Sequence, residues 1–473
     1  MRTRSNHVIT LLSILSIFAA GRPARAVDVT VDGGRRYQTI EGFGTCLLAG
    51  ADSFRKLYRT EDFQKLYINK IGCNILRVNM LGPTLEKPTE EWTQIRCEDF
   101  DMGASGGQPQ TFIDFGQGIR KLDPAVKIIG TVWSPPTWMK VSRSITDNRS
   151  GTIQTGSYGE TDNRVDPKYF QHFCKWMVEY VKLHDRQGVP FYAVSPGNEA
   201  QFTQSLESCV WDGKDYVTIV AMLREMLNTA GYSQVKIFGP ETMTGHLYDG
   251  STGSYIKAIK DSPEALGALD IFATHGCEDS ILPEMSTTSS RMFWEQIADT
   301  GKPFWITEGN TGGHVWPAPI RRGIGNALHN ALVAGNCSAF VPWQITERRA
   351  SVHALMVMDR FTPKTYTVMH YSRFIRPGAV RIDAQPGFGD VQTGAFLHEG
   401  AGELTIVAIN PTEQEQELNL TFKNLKGLAS LKVYRTSSSA NMRQIGDAAV
   451  KEDKAAFPVE PLSIVTFSGK ITK

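Results

Sequence analysis

From about residue 40 to residue 346 the chain alternates two textures. Short apolar runs, rich in β-branched and aromatic residues and closed by a polar or Gly/Pro cluster, are followed by longer stretches with apolar positions every three or four residues. The runs are Ile40–Leu47, Asn74–Met80, Lys127–Pro135, Phe191–Glu199, Val235–Glu241, Leu269–His275, Pro303–Glu308 and Ser338–Thr346. Each reads as a strand leading into a helix, and eight such units close a (β/α)8 TIM barrel. The helical stretches carry core stripes: in Tyr169–His184, residues Phe170, Phe173, Met177, Tyr180 and Val181 share one face. Glu86–Phe112 is too long and too rich in Gly, Pro and charge for a simple connection. It predicts an elaborated loop after the second strand, at the barrel end where loops shape a groove.

After about Phe374 the period changes to two. Glu403–Ile409, Glu417–Phe422, Leu431–Tyr434 and Leu462–Phe467 alternate apolar and polar positions between turn residues, the pattern of an antiparallel β-sandwich. Val27–Tyr37 alternates in the same way and predicts a further strand or two for that sandwich. The α/β chain therefore divides into residues 27–39 as N-terminal strand, 40–373 as barrel and 374–473 as side domain.

Residues 1–26 read as an export signal: Arg2 and Arg4, an apolar run from Val8 to Ala20, and Ala24-Arg25-Ala26 before a cleavage site near Val27. That run is short for a membrane span of about 20 residues, and no later stretch approaches one. The address implied is the periplasm or the extracellular medium. Fifty Lys plus Arg against 49 Asp plus Glu give a formal charge of +1, so nothing draws the chain to nucleic acid. Seven cysteines permit disulfides, and the odd count leaves at least one outside any pair within the chain. With no C-x-x-C, no H-E-x-x-H and no calcium-loop pattern, we expect no metal and no cofactor.

In a barrel the reacting groups sit where strands end. Two ends carry Glu between small, turn-prone residues: Val194-Ser-Pro-Gly-Asn-Glu-Ala200 on the fourth run and Phe304-Trp-Ile-Thr-Glu-Gly-Asn310 on the seventh. The fourth and seventh strands face each other across the mouth. Glycosidic cleavage needs two carboxyl groups flanking one bond, so Glu199 and Glu308 are the candidate pair. A lone carboxylate at a loop is ordinarily solvated or salt-bridged; two of them closing opposed strands point to chemistry. Glu241, ending the fifth run, is a third carboxylate near the mouth and the one most easily mistaken for a member of the pair.

These segments resemble glycoside hydrolase family 30. The resemblance covers nearly all of the mature chain: Glu41-Gly-Phe-Gly44, Asn74-Ile-Leu-Arg-Val78, Trp133-Ser-Pro-Pro136 with Trp138-Met-Lys140, Asn198-Glu199 and Trp305-Ile-Thr-Glu308. His370–Gly378 and Ala408-Ile-Asn-Pro411 resemble the barrel-to-sandwich join of the branch containing bacterial glucuronoxylanases. The resemblance implies a retaining hydrolase of a β-linked polysaccharide or oligosaccharide, xylanase-like and endo-acting. Glu199 becomes acid/base, Glu308 nucleophile, and Asn198 a partner for the sugar 2-hydroxyl. Arg77 is placed beside the nucleophile, which is equally the place of a structural ion pair. Trp133 and Trp343 become sugar-stacking candidates as well as core, and His275 a polar partner of nucleophile or sugar. The chain departs from that branch at Trp343-Gln-Ile-Thr-Glu-Arg-Arg349, where the arginines are displaced and follow Glu347. It departs again at His275-Gly-Cys277, at Thr45-Cys46 and in the Glu86–Phe112 insertion. An exo-acting β-glycosidase of glucosylceramidase type and a non-catalytic carbohydrate-binding protein are the alternatives.

Overall fold

The computed structural model describes residues 25–146, 152–153, 161–203, 206–243, 251–276, 287–309, 311–384, 386 and 390–471. The expected export signal lies, up to residue 24, outside the described residues, as does Cys277.

Eight parallel strands close a barrel in chain order: Gly42–Cys46, Ile75–Asn79, Lys127–Thr131, Phe191–Ser195, Lys236–Thr242, Ile271–Gly276, Phe304–Gly309 and Ala339–Phe340, the last pairing back onto the first. Alternate side chains point inward. Ile75, Ile129, Ala193, Phe238, Ile271, Ala273, Trp305, Ala339 and Val341 fill the interior as one apolar cluster. Below them, at the strand starts, Glu41 accepts hydrogen bonds from Lys127 Nζ (3.1 Å), Tyr192 Oη (3.0 Å) and Trp305 Nε1 (3.3 Å). The barrel is thus plugged by a satisfied polar cluster at one end, and its interior polar residues gather at the other.

The helical stripe Phe170, Phe173, Met177, Tyr180 and Val181 is buried on the helix Phe170–Arg186. The elaborated connection after the second strand contains the short helical turns Trp92–Gln94 and Cys97–Asp99. It docks on that helix through the Cys97 amide, which donates to Glu179 Oε2 at 3.0 Å. It is shorter than its composition suggests, because the following helix, Ala104–Leu122, starts inside the expected loop. Ser105, Gly106 and Gly107 turn left-handed there and Pro109 opens the regular turns. The eighth run also divides: Ala339–Phe340 stays in the barrel, whereas Gln344–Glu347 joins Ala354–Val357 and Arg360–Phe361 in a small separate sheet.

The side domain is a nine-stranded, mostly antiparallel sheet. Its order is Ala440–Ala449, Ser430–Ser437, Ser463–Lys470, Glu403–Asn410, Gln392–His398, Val380–Asp383, Arg25–Thr39, Gln416–Lys423 and Lys454–Val459. Arg25–Thr39 runs parallel to Gln416–Lys423 and antiparallel to Val380–Asp383. Val27, Val29, Val31, Leu404, Ile406, Leu418, Leu420, Val465 and Phe467 share the core of this domain. The opposite face joins the barrel's outer core through Phe396, Val407, Ile409 and Ile464. At the junction His370, on the helix Pro363–Ser372, is held by Thr466 Oγ1 (2.8 Å) and Thr436 Oγ1 (2.9 Å). Burial pushes its imidazole down to about 3, so it is neutral there.

Candidate active site

Strand alternation aims Arg77 and His275 into the barrel mouth, above Ile75 and Ala273. The glutamates need local departures from it. The ladder between the sixth and seventh strands slips between Ile306 and Glu308, and that between the fifth and sixth between Pro240 and Thr242. Such irregularities re-aim side chains; here they turn Glu308 and Glu241 toward the mouth. Glu199 and Glu241 also hold left-handed backbone, with φ of 48° and 52°. For residues with a Cβ this costs on the order of 1–3 kcal/mol each. The two are tied together, the Glu199 amide donating to the Glu241 carbonyl at 2.9 Å.

Arg77 is the hub. Its Nη1 donates to Glu308 Oε2 at 2.7 Å, and its Nη2 donates to Asn198 Oδ1 at 2.7 Å and lies 3.0 Å from Glu241 Oε1. Nε donates at 3.2 Å to Thr131 Oγ1, whose own hydrogen goes to Glu241 Oε2 at 2.9 Å. The guanidinium lies 4.4 Å from the centroid of Trp133. His275 joins the carboxylates: Nδ1 is 3.3 Å from Glu199 Oε1 and 3.8 Å from Glu308 Oε2, and Nε2 is 3.5 Å from Glu241 Oε1. One ligating atom from each of Glu199, His275 and Glu308 lies within 4.8 Å of the other two.

Burial sorts these groups. Arg77, Glu241 and His275 are 0% exposed, whereas Glu199 and Glu308 keep 7% and 8% of their surface. The two glutamates therefore reach the mouth and the other three lie sealed behind them.

The electrostatics follow. Burial opposes ionisation of Glu241, but the Arg77 and His275 charges override it and hold the carboxyl at about 2. Burial likewise opposes charge on His275, and Glu308, Glu199 and Glu241 together lift it to about 9. Glu308 is raised above the ordinary carboxyl range, with burial and Glu199 pushing up and His275 and Arg77 restraining the rise. Cys46, 3.9 Å from Arg77 Nη1, is pushed by burial to about 12 and is a neutral thiol. The spacing of Glu199, His275 and Glu308 is short enough to span a cation. The Arg77 guanidinium against Glu308 and the charged His275 place positive charge where that cation would sit.

The structure brings Asn198, Glu199, Glu308, Arg77, His275 and Trp133 into one connected group. Trp343 meets it through Trp133, ring centroids 6.0 Å apart and planes inclined by 45°. Trp133 is only 8% exposed, and Trp343, partly exposed, offers the larger open surface. His275 stands nearer Glu199 than Glu308. Glu241 is a buried counter-ion of Arg77. Arg348 and Arg349 lie exposed on the loop after the eighth strand, and Arg348 donates to Ser53 Oγ at 3.1 and 3.2 Å. Thr131, Asn79 and Glu207 were not singled out from the sequence. Asn79 was findable as the polar residue closing the second strand, and Thr131 by its register with Asn79, two residues beyond Arg77; Glu207, on a loop, carried no such signal.

The chain is similar to known proteins along most of its length. Residues 56–210 match the glycosyl hydrolase family 30 TIM-barrel domain. Glucuronoxylanase XynC of Bacillus subtilis (strain 168) is 25% identical over 476 residues, covering 97% of this chain and 95% of that one. Putative glucosylceramidase 1 of Caenorhabditis elegans is 22% identical over 431 residues, covering 82% of this chain and 77% of the relative. The crystal structure of a GH30 endoxylanase from Clostridium papyrosolvens C71 superposes with a TM-score of 0.74 at 21% identity, over 94% of this chain and 100% of that one. The family match lies within the barrel, and the likenesses to XynC and to the endoxylanase fold run over both the barrel and the side domain.

Proposed function

We propose that this chain is a retaining glycoside hydrolase that cleaves a β-linked polysaccharide by double displacement, acting within the chain as a xylanase does. One observation carries the mechanism: a carboxyl oxygen of Glu199 and one of Glu308 lie within 4.8 Å of each other across the mouth. Retaining enzymes hold their two carboxyl groups about 5–5.5 Å apart, and inverting enzymes about 6.5–9.5 Å.

Glu308 attacks the anomeric carbon while Glu199 gives its proton to the departing glycosidic oxygen, leaving a glycosyl ester on Glu308. Glu199, now a carboxylate, takes a proton from water, which attacks the same carbon and releases Glu308. The charges around the pair suit these roles. Arg77 and His275 are cations and Glu241 is an anion. Arg77 and His275 restrain the rise of the Glu308 carboxyl, and an ionised Glu308 balances the charges of the site. Arg77 also fixes Asn198: its amide oxygen accepts from Nη2, which leaves the Nδ2 hydrogens for the sugar 2-hydroxyl. Trp343 supplies the apolar floor for a pyranose, and Trp133 props both it and Arg77.

The relation to XynC along nearly the whole chain supports the xylanase-like, endo-acting reading. The relation to a putative glucosylceramidase covers less of the chain, and exo action on a glycoside is the second reading. The enzyme acts outside the cytoplasm: Arg2, Arg4, Val8–Ala20 and Ala24-Arg25-Ala26 form an export signal, and N-terminal sequencing of the exported protein will begin near Val27. Among the described residues no helix is long and apolar enough to cross a membrane.

The test is product analysis on xylans, β-glucans and aryl glycosides, with Glu308→Gln beside the parent protein. Oligosaccharides from one polymer, absent with the variant, are the expected result. Monosaccharide alone would establish exo action, and turnover by Glu308→Gln equal to that of the parent would overturn the assignment.

A further inference from the structure

The mouth contains a fourth carboxyl group that the chemistry does not use. Asn79 ends the second strand two positions beyond Arg77, so it faces the mouth in the same register. Its Oδ1 accepts from the Trp133 amide at 3.4 Å, which leaves its Nδ2 to donate to Glu207 Oε2 at 2.8 Å. Glu207 lies on the loop following Glu199 and is only partly buried. Its second oxygen, Oε1, has no hydrogen-bond partner among the described residues. Burial raises its carboxyl pKa, and Asn79 and Lys140 oppose the rise. Lys140, buried, spends hydrogen bonds on Ser134 Oγ (3.0 Å) and the Ser208 carbonyl (2.8 Å).

A carboxylate with one oxygen anchored and the other open to solvent is an acceptor held ready. Its neighbours through Asn79 are the Trp133 backbone and, beyond that, the ring stacked on Arg77. Sugar hydroxyls are the donors that enter this mouth. We propose that Glu207, positioned by Asn79, is a substrate-recognition residue: Oε1 accepts from hydroxyls of an uncharged pyranose over the Trp133–Trp343 pair and turns away a uronate there. A second carboxylate brought beside it meets a like charge in a half-buried setting, which selects against acidic sugars as effectively as any contact selects for neutral ones.

This inference rests on the glycosidase reading, so the experiment separates the two. The kcat/KM of the full chain is measured on a neutral β-linked oligosaccharide and on the same oligosaccharide bearing a uronic acid branch. The parent is compared with Glu207→Gln, Asn79→Ala and Glu308→Gln. Glu207→Gln, which keeps the shape, is expected to lose about tenfold or more on the neutral substrate, the worth of a hydrogen bond to a charged group. It is also expected to lower the preference for neutral over uronate-bearing substrate by about tenfold. Asn79→Ala, which frees Glu207 without removing it, raises KM on the neutral substrate more than it lowers kcat. Unchanged kcat/KM and unchanged preference in Glu207→Gln, with Glu308→Gln inactive, overturn this inference alone. Activity of Glu308→Gln equal to the parent overturns the underlying mechanism instead.

Discussion

Replacing Arg77 by Met removes a buried cation from a site whose acids depend on it. The side chain is 0% exposed and reaches Glu308, Asn198 and Glu241 at 2.7, 2.7 and 3.0 Å. Breaking a buried ion pair from one side costs about 3–5 kcal/mol. Arg77, with His275, holds Glu241 at about 2 against an ordinary 4.5, a gap worth about 3 kcal/mol for the group as a whole. Because this carboxyl is depressed in the folded chain, its contribution is fully present above pH 4.5 and is lost as the pH falls toward 2. The penalty of Arg77→Met should thus be largest near pH 7 and smaller by about 2 kcal/mol or more at pH 3. Urea unfolding of both proteins at the two pH values measures it. In parallel, Glu308 loses the cation that restrains its rise. The acid limb of kcat/KM should move to higher pH, and the value at the optimum should drop about a hundredfold, equivalent to about 3 kcal/mol. An equal penalty at pH 7 and pH 3, together with an unmoved acid limb, would refute the view of Arg77 as counter-ion to both carboxyls.

Glu199→Ala should slow natural substrates steeply yet spare aryl glycosides whose leaving groups depart without a proton, and equal loss on both would deny it the acid role. His275 is lifted from 6.5 to about 9, so its stabilising contribution is complete below pH 6.5 and disappears as the pH rises through 9. The parent should lose about 3 kcal/mol over that window, and His275→Asn should lack this decline in urea midpoints taken at pH 6, 8 and 10. Cys46, Cys73, Cys97, Cys174, Cys209 and Cys337 are all buried free thiols. A thiol reagent should therefore label them only after unfolding, which a stopped titration in native buffer and in urea will show. Removing Ser463–Lys470 takes away the partner of both Glu403–Asn410 and Ser430–Ser437, and circular dichroism should find no cooperative unfolding in the truncated chain.

The barrel was legible because each buried strand is a dense apolar run bounded by turn residues, and period and composition agree along Ile75–Asn79 or Phe304–Gly309 alike. The side sheet was legible for the complementary reason: Gln416–Lys423 alternates buried and less buried residues along its length. The strand-end glutamates were visible as carboxylates in unlikely company, Phe-Trp-Ile-Thr before Glu308 and Pro-Gly-Asn before Glu199. What stayed hidden depends on backbone departures that have no residue signature. Nothing in Gly-Pro-Glu241 announces a slipped ladder or a positive φ, so the sealing of Glu241 behind Arg77 appears only in three dimensions. The start of Ala104–Leu122 was missed because Gly106 and Gly107 read as loop, although they form a left-handed turn leading straight into Pro109. Glu207 lies far in sequence from the residue that anchors it, and a single side-chain hydrogen bond across a loop leaves no periodicity to read.

The strand Arg25–Thr39 sits between Val380–Asp383 and Gln416–Lys423. It is synthesised before every partner it will have, so through most of translation it is an unpaired ribbon of alternating valines. The barrel strands can assemble from neighbours in sequence as they emerge; the side sheet cannot close until the chain beyond Gln416 is available. That makes the order of assembly barrel first and sheet last, with the first-made of the sheet's strands inserted at the end. During that wait its two open edges are the part of the molecule most exposed to wrong pairing. A factor that shields unpaired strands would find its longest-lived binding site there.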